Sequence, residues 1–512
     1  MKHKNVYILL IISLIVFTAG IGSIDIYFLD EAKNAICARE MMQNNNYIIP
    51  TYNGVLRSDK PPLHYYFMIL SYKIWGVNPF AARFFSAIMG VLTVVCLYLF
   101  SKKYVGTKTA FYASLLLVSS LHFNIQMHWS VPDPYFIFLM TLSGLSFYEF
   151  YNTGKRKWWF IFYISLGLSF LTKGPVGIVL LSLAVFLFLI IMKDFKWKTI
   201  KKINPFLGIP LSLSIAFPWF YAVHKATKGE FTNNFFFKHN FERFTSEMEG
   251  HGGVFLLTIL FVILGLIPWF FFLLKYKLIK IIIKENSFLL FSFCVSVSIV
   301  AFFMISGTKL PNYTVPAYPW IFMLLSAILM KVQNKKPFLI AILVVSIILP
   351  IGIIIGIQQD KVIYNLYLLG TSFFIITIGA LIAYKLRNTT YKWIHALSAS
   401  WLLMALVFFY GVFPIIDKEN PVEKTISLFE ENQNVVGYGV INSAFIFKMK
   451  KEIPIFKNID DLKTHIDNHP KGGMVITRAH KKNEVLFESL GLIEVARERD
   501  LFENPTTLIL KF

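Results

Sequence analysis

The sequence predicts an all-α polytopic membrane protein of about 13 transmembrane helices, with a small external α/β domain at its C-terminal end. Three observations predict it. The 512 residues are 56% hydrophobic and only 15% charged, with a mean hydropathy of +0.59; a soluble chain of this size is more polar. Apolar stretches of a length that crosses a bilayer core of about 30 Å recur along the chain. The formal net charge of +21 sits in alternate loops.

In order, hydropathy places spans at about 6–24, 81–101, 108–126, 133–152, 157–172, 175–192, 204–223, 254–275, 286–306, 315–332, 337–356, 364–385 and 392–414. The first follows MKHK and has no small-x-small cleavage pattern behind it, so it reads as a helix that stays in the membrane. Residues 157–172 and 175–192 are parted only by TKGP. Residues 1–414 form the transmembrane unit on this reading. Residues 415–512 are polar and domain-sized: NVVGYGVI, GGMVITRAH and TTLILKF have strand character, and IDDLKTHIDNH has helix character. Cys37, Cys96 and Cys294 suggest neither a disulfide framework nor a metal motif.

The N-terminus and every second loop, from Lys102 to Lys392, together hold 23 Lys and Arg against two acids, Asp194 and Glu285. That difference is the whole net charge. The positive-inside rule assigns these segments to the cytoplasm, so the charge reports topology and excludes a nucleic-acid footprint. The other loops are then external, two of them long, at about 25–80 and 224–253. An odd span count puts the C-terminus outside as well.

The unusual polar motifs all fall on that external side. They are LDEAKNAICAREMM and NGVLRSDKPPLHYY in the first long loop, SVPDPYF at Asp133, LTKGPVG at Lys173, KHNFERF followed by His251, and GTKLPNYTVP with Lys309 and Tyr313. Each has a plain structural alternative. Asp30 and Glu31 suit the start of the amphipathic helix that follows, which can lie along the interface. Asp133 suits a helix start, although an acid at the membrane edge is costly and often functional. Lys173 could simply snorkel. His64 reads as a packed histidine, and His239 and Arg243 as loop polarity. Together, however, they gather carboxylates, cations and a tyrosine at one membrane face. Interfacial cations suit a phosphate whose lipid tail lies in the bilayer. A nearby carboxylate suits proton abstraction from a hydroxyl. That is the equipment for glycosyl transfer from a lipid-phosphate sugar, the leaving phosphate being neutralised by the cations. No Gly-rich nucleotide loop follows a strand.

The ordered motifs DEA, AREM, NGV, KPPLHYY, SYKIWGVNPFAARFFSA, LTKGPVG and KLPNYTVPAYP resemble the bacterial 4-amino-4-deoxy-L-arabinose transferase-like family, related to the protein O-mannosyltransferases of the C-type membrane glycosyltransferase fold. The resemblance covers about residues 20–330. It implies a polyprenyl-phosphate sugar donor and an envelope acceptor, which could be a lipid A-like glycolipid, a polysaccharide or a protein, in a bacterial inner membrane. It implies catalytic carboxylates at Asp30, Glu31 and Asp133, and lipid-phosphate contacts from Lys33, Lys60, Lys173, Arg243, Lys309 and Tyr313. A divalent metal ion is a possible cofactor, with Asp59 as its ligand. Two departures matter: Asp59 stands where the family commonly has Glu, and Lys33 where it commonly has Arg, which alters any bidentate contact there. The rival reading, a flippase of lipid-linked sugars, would place charges at the bilayer midplane in two related halves, and neither feature is present in the sequence.

Overall fold

Helices make the membrane body and a mixed sheet sits at one end of it; the computed structural model describes residues 4–247, 250, 252–430 and 433–512. Helix α1 (Lys4–Phe17) leads through a bent segment into α2 (Leu29–Gln43), α3 (Leu63–Trp75) and the long α4 (Pro79–Val118). Between α2 and α3, strands β1 (Thr51–Tyr52) and β2 (Val55–Leu56) pair as a hairpin. It turns at Asn53 and Gly54, whose φ angles of 53° and 76° are those that Asn-Gly adopts without strain. Helix α4 begins with Asn78 capping the Ala81 N–H and with Pro79 in its first turn. It breaks at Gly106 (φ 81°, ψ 158°), so the expected spans 81–101 and 108–126 are two arms of one helical run. The break falls among Lys102, Lys103 and Lys108.

Helices α5 (Leu121–Met127), α6 (Asp133–Thr153), α7 (Arg156–Lys173) and α8 (Val176–Ile191) follow. Because α6 and α7 pack against each other across a two-residue turn, Asp133 and Lys173 meet at the same end, far from the basic turn at 155–157. By length and composition, seven helical stretches could cross a membrane: Pro79–Val118, Trp197–Ala226, Ser287–Ile305, Pro311–Lys331, Lys336–Gln359, Tyr364–Lys385 and Lys392–Asp417. Lys4–Phe17, Val176–Ile191 and Leu256–Gly265 are shorter apolar helices. The chain is thus a multi-pass membrane protein, but these helices do not reproduce the expected count of 13. The expected spans 133–152 and 157–172 exist as α6 and α7 and fall outside the seven. Helix α6 is rich in Ser, Thr and Tyr and is buried at almost every position from Asp133 to Phe150. Its surroundings are other helices rather than lipid, so it need not be uniformly apolar.

Near the C-terminus, β3 (Val435–Tyr438), β4 (Ile455–Phe456), β5 (Met474–Arg478), β6 (Ile493–Arg499) and β7 (Thr506–Lys511) form a sheet in the order β4-β3-β5-β7-β6. Strand β3 runs parallel to β4 and β5, which requires crossovers, and the helices Ser443–Met449 and Ile459–Asp467 lie within them. Strand β7 is antiparallel to β5 and β6. The sheet follows the alternation of its strands. Val436, Val475, Leu508 and Leu510 pack with Leu462 and Phe487 on one face. Val435, Ile476 and Ile509 belong to a second core that also contains Ile26, Ala35 and Ile36 of the first long loop. The sheet and that loop therefore share one interior. Polar bonds sew the same seam: Asn53 Nδ2 donates to the Ile453 carbonyl while the Ile453 N–H donates to Asn53 Oδ1, both at 2.8 Å. Arg39 Nη1 donates to the Ile446 carbonyl at 2.7 Å.

Candidate active site

A cavity of about 410 Å³ opens where the first long loop, the α6/α7 end and the segments 235–244 and 302–316 converge. Its polar wall carries Asp59, Lys60, Lys173, His239, Asn240, Arg243, Asn312 and Tyr313. Its apolar wall carries Val176 and Val179 of α8 with Phe235, Phe236, Phe241, Phe244, Phe302 and Phe303. Each cation is placed by local sequence. Lys60 precedes Pro61 and Pro62, a stiff entry that ends as the N-cap of α3. Lys173 is the last residue of α7, which stops because Gly174 takes φ 76°. A Cβ at Gly174 would come within 2.7 Å of the Phe235 ring, so glycine also permits the close approach of the cavity's aromatic wall. Arg243 follows the π-helical turn Asn234–Glu242.

Lys60 is the electrostatic centre. Burial lowers its pKa; Asp59 opposes that, Arg243 adds to it, Asp30 opposes it and Lys173 adds to it, with a net lowering. Four residues from four sequence motifs thus act on one ammonium group. Burial also lowers the pKa of His239, and the cations Lys60, Arg243 and Lys238 reinforce this against Asp59. Three cations, Lys60, Lys173 and Arg243, share the cavity lining with one carboxylate, Asp59, a set that suits an anion.

The carboxylates divide into committed and free. Lys173 Nζ lies 2.7 Å from Asp133 Oδ1, which also accepts from Asn312 Nδ2 at 3.0 Å. The same Nζ sits 5.6 Å from the centroids of both Tyr313 and Phe136. Asp133 is therefore an orienting partner of Lys173 rather than an open base. Asp59 is gripped by Arg57 in a fork, Nε to Oδ1 at 2.6 Å and Nη2 to Oδ2 at 2.8 Å. Burial raises the Asp59 carboxyl, but Arg57, Lys60 and His239 hold it well below the usual carboxylate range. Both its oxygens are engaged and its neighbours are cationic, so it does not fit the expected metal ligand. Among the described residues no cluster of three His, Cys, Asp or Glu gathers elsewhere.

Glu31 is 2% exposed, and both its oxygens accept from Arg83 at 2.7 Å, with the Ser130 N–H adding a bond at 2.8 Å. It is enclosed by the fold with both oxygens engaged and, like Asp30, is not among the residues that line the cavity. Lys309 donates to the Ser306 carbonyl at 2.6 Å and is buried, and Lys33 lies over the Tyr52 ring at 6.0 Å. Neither is among the residues that line the cavity. His251 lies outside the described residues. Asp30 is different. It is exposed, in the first turn of α2, while nearly every residue from Glu31 to Met41 is buried. Helix α2 is thus enclosed rather than amphipathic along the interface. Its N-cap is Phe28, with no side-chain cap, so Asp30 is not spent on capping. Arg57, Asn312 and Arg83 escaped the sequence reading. Each lies inside a motif already noted, VLRSDKPP, KLPNY or FAARFFSA, which was the available signal.

The sequence profile of the dolichyl-phosphate-mannose-protein mannosyltransferases matches residues 59–221. An Aquifex aeolicus protein of undescribed role is 32% identical over 336 residues, 65% of each chain. The undecaprenyl phosphate-alpha-4-amino-4-deoxy-L-arabinose arabinosyl transferase of Wigglesworthia glossinidia brevipalpis is 28% identical over 323 residues, 62% of this chain and 57% of that one. The fold aligns with that of ArnT from Cupriavidus metallidurans, in a crystal structure bound to undecaprenyl phosphate, at a TM-score of 0.85, with 20% identity over 100% of this chain and 98% of the other. The chain is similar in sequence and fold to the aminoarabinose transferases. The aligned stretches span less than two thirds of these two relatives' lengths. Residues 59–221 supply Lys60, Lys173 and Phe136 to the cavity, and later segments supply Arg243 and the remaining phenylalanines.

Proposed function

We propose that this protein is an integral membrane glycosyltransferase that moves a sugar from a polyprenyl-phosphate donor to an envelope acceptor at the external face. The observation that carries the proposal is the meeting of Lys60, Lys173 and Arg243, from three distant segments, on one cavity lined otherwise largely by phenylalanine. An amphiphile with a phosphate head and a hydrocarbon tail matches both the cationic and the aromatic lining. Residues 1–414 act as the transmembrane catalytic unit, with loops 25–80 and 224–253 external, and residues 415–512 as an external domain. The N-terminus faces the cytoplasm of a bacterial inner membrane.

In this reading the phosphate rests on Lys60, Arg243 and the remaining N–H groups of Lys173, with Tyr313 packed beside Lys173. Asp133 and Asn312 hold Lys173 in place. Asp30 accepts the acceptor's hydroxyl proton as the oxygen attacks the anomeric carbon. The bond from that carbon to the phosphate oxygen breaks, and the lipid phosphate leaves with the electron pair, its new charge met by the three cations. Attack opposite the leaving group inverts the anomeric centre. Purified protein incubated with a labelled polyprenyl-phosphate sugar and an envelope extract should release polyprenyl phosphate and label one acceptor fraction. Label carried across a vesicle membrane without release of polyprenyl phosphate would contradict the proposal.

A further inference from the structure

Arg83 is 1% exposed, and its guanidinium has every N–H engaged. Nε and Nη2 donate to the two oxygens of Glu31 at 2.7 Å each. Nη1 donates to the carbonyls of Ile21 and Ile24 at 3.0 and 2.5 Å, and Nη2 to that of Asp25 at 2.8 Å. The ring of Trp129 lies 5.4 Å away. A single side chain of α4 thus holds the segment that leads into α2 and the first turn of α2 itself. Ser130 closes the other side, its N–H donating to Glu31 Oε1 at 2.8 Å and its hydroxyl at 3.2 Å. A buried ion pair is weak evidence for stability, since apolar packing of the same volume does as well. What five directed bonds add is geometry. Successive helix residues point about 100° apart, so locking Glu31 inward sets the outward direction of Asp30.

We infer that Arg83 and Glu31 are positioning residues that fix the Asp30 carboxylate at the depth of the reacting carbon. The inference rests on Asp30 being the general base. An error of about 1 Å in such a placement costs roughly 10²-fold in rate. The test uses full-length protein in nanodiscs, with rates expressed per site that binds labelled undecaprenyl phosphate, so that loss of folded protein does not enter. Arg83→Lys keeps the charge but not the fork, and Glu31→Gln is its isosteric counterpart. Either should leave the donor's dissociation constant unchanged and lower kcat by about 10- to 100-fold. Introduced into Asp30→Asn, the same changes should slow the remaining reaction by less than about 3-fold, because the group they position is gone. Unchanged kcat per site in both variants would overturn the inference, as would an equal loss in the Asp30→Asn background. A fully active Asp30→Asn protein would instead overturn the base assignment itself, whatever Arg83 does.

Discussion

Lys173 and Asp133 lie 2.7 Å apart although 40 residues separate them, because α6 and α7 return the chain to the same end of the membrane body. The pair is mostly buried and borders Lys60 and Arg243 across the cavity wall. Removing Asp133 leaves a cation unpaired among cations, a loss of about 3–5 kcal/mol for a buried pair. Asp133→Asn should therefore lower the melting temperature of the donor-free protein. Undecaprenyl phosphate, by restoring a negative charge at the same place, should recover more of it than in the parent protein. Thermal unfolding with and without the lipid reads both.

Asp30→Asn separates a base from a structural acid. Since Phe28 rather than Asp30 caps α2, the substitution should leave folding and donor binding intact. Turnover should fall by roughly 10²–10⁴-fold, the usual contribution of a general base. Single-turnover release of polyprenyl phosphate is the measurement.

The lowered pKa of Lys60 gives a pH signature. Its charge is lost, as pH rises, earlier than that of a free lysine. Donor affinity should weaken on the alkaline side below the ordinary lysine pKa of 10.5. Lys60→Arg keeps the charge at all accessible pH, so the alkaline decline should vanish even if neutral-pH affinity drops. A titration of lipid binding against pH in both proteins decides it.

Asp59 works in the opposite direction. Its carboxyl titrates below the usual range in the folded protein because of Arg57, Lys60 and His239, despite burial. The stability this adds is present above the ordinary carboxyl pKa and is lost as pH falls towards the folded value. Arg57→Met should remove that contribution. The melting temperature of the variant should then fall less than the parent's between neutral pH and pH 3.

Cysteines introduced at Lys155 and Lys471 should be labelled by an impermeant thiol reagent from opposite sides of the membrane. Labelling from one side only would displace both the positive-inside assignment and the external site.

The sequence disclosed the membrane class, the basic loops and the motifs that build the cavity, because hydropathy and charge are local properties. It did not disclose how carboxylates are shared out. Asp30 and Glu31 are neighbours with the same chemistry, yet one is exposed and the other is closed in by Arg83, 52 residues away. Nothing in DEAK distinguishes them. Lys309 and Lys173 likewise stand in similar Lys-x-Pro settings, and only the fold turns one to the Ser306 carbonyl and the other to the cavity. The count of 13 spans and the seven stretches marked by length and composition differ in part because a central helix such as α6 is packed in protein, so its composition is not that of a lipid-facing helix.

The interior shared by Ile26, Ala35 and Ile36 with Val435, Ile476 and Ile509 joins parts of the chain about 400 residues apart. Synthesis proceeds from the N-terminus, so the loop bearing Asp30 is made early and waits with an incomplete core until the sheet arrives. Loop closure over such a distance is slow, and apolar surface left uncovered in the interval invites misassembly. Completion of this core therefore comes last in biogenesis: the sheet closes over the loop that carries Asp30 only after every helix has been made, and a truncation within the last strands should leave that loop's core uncovered.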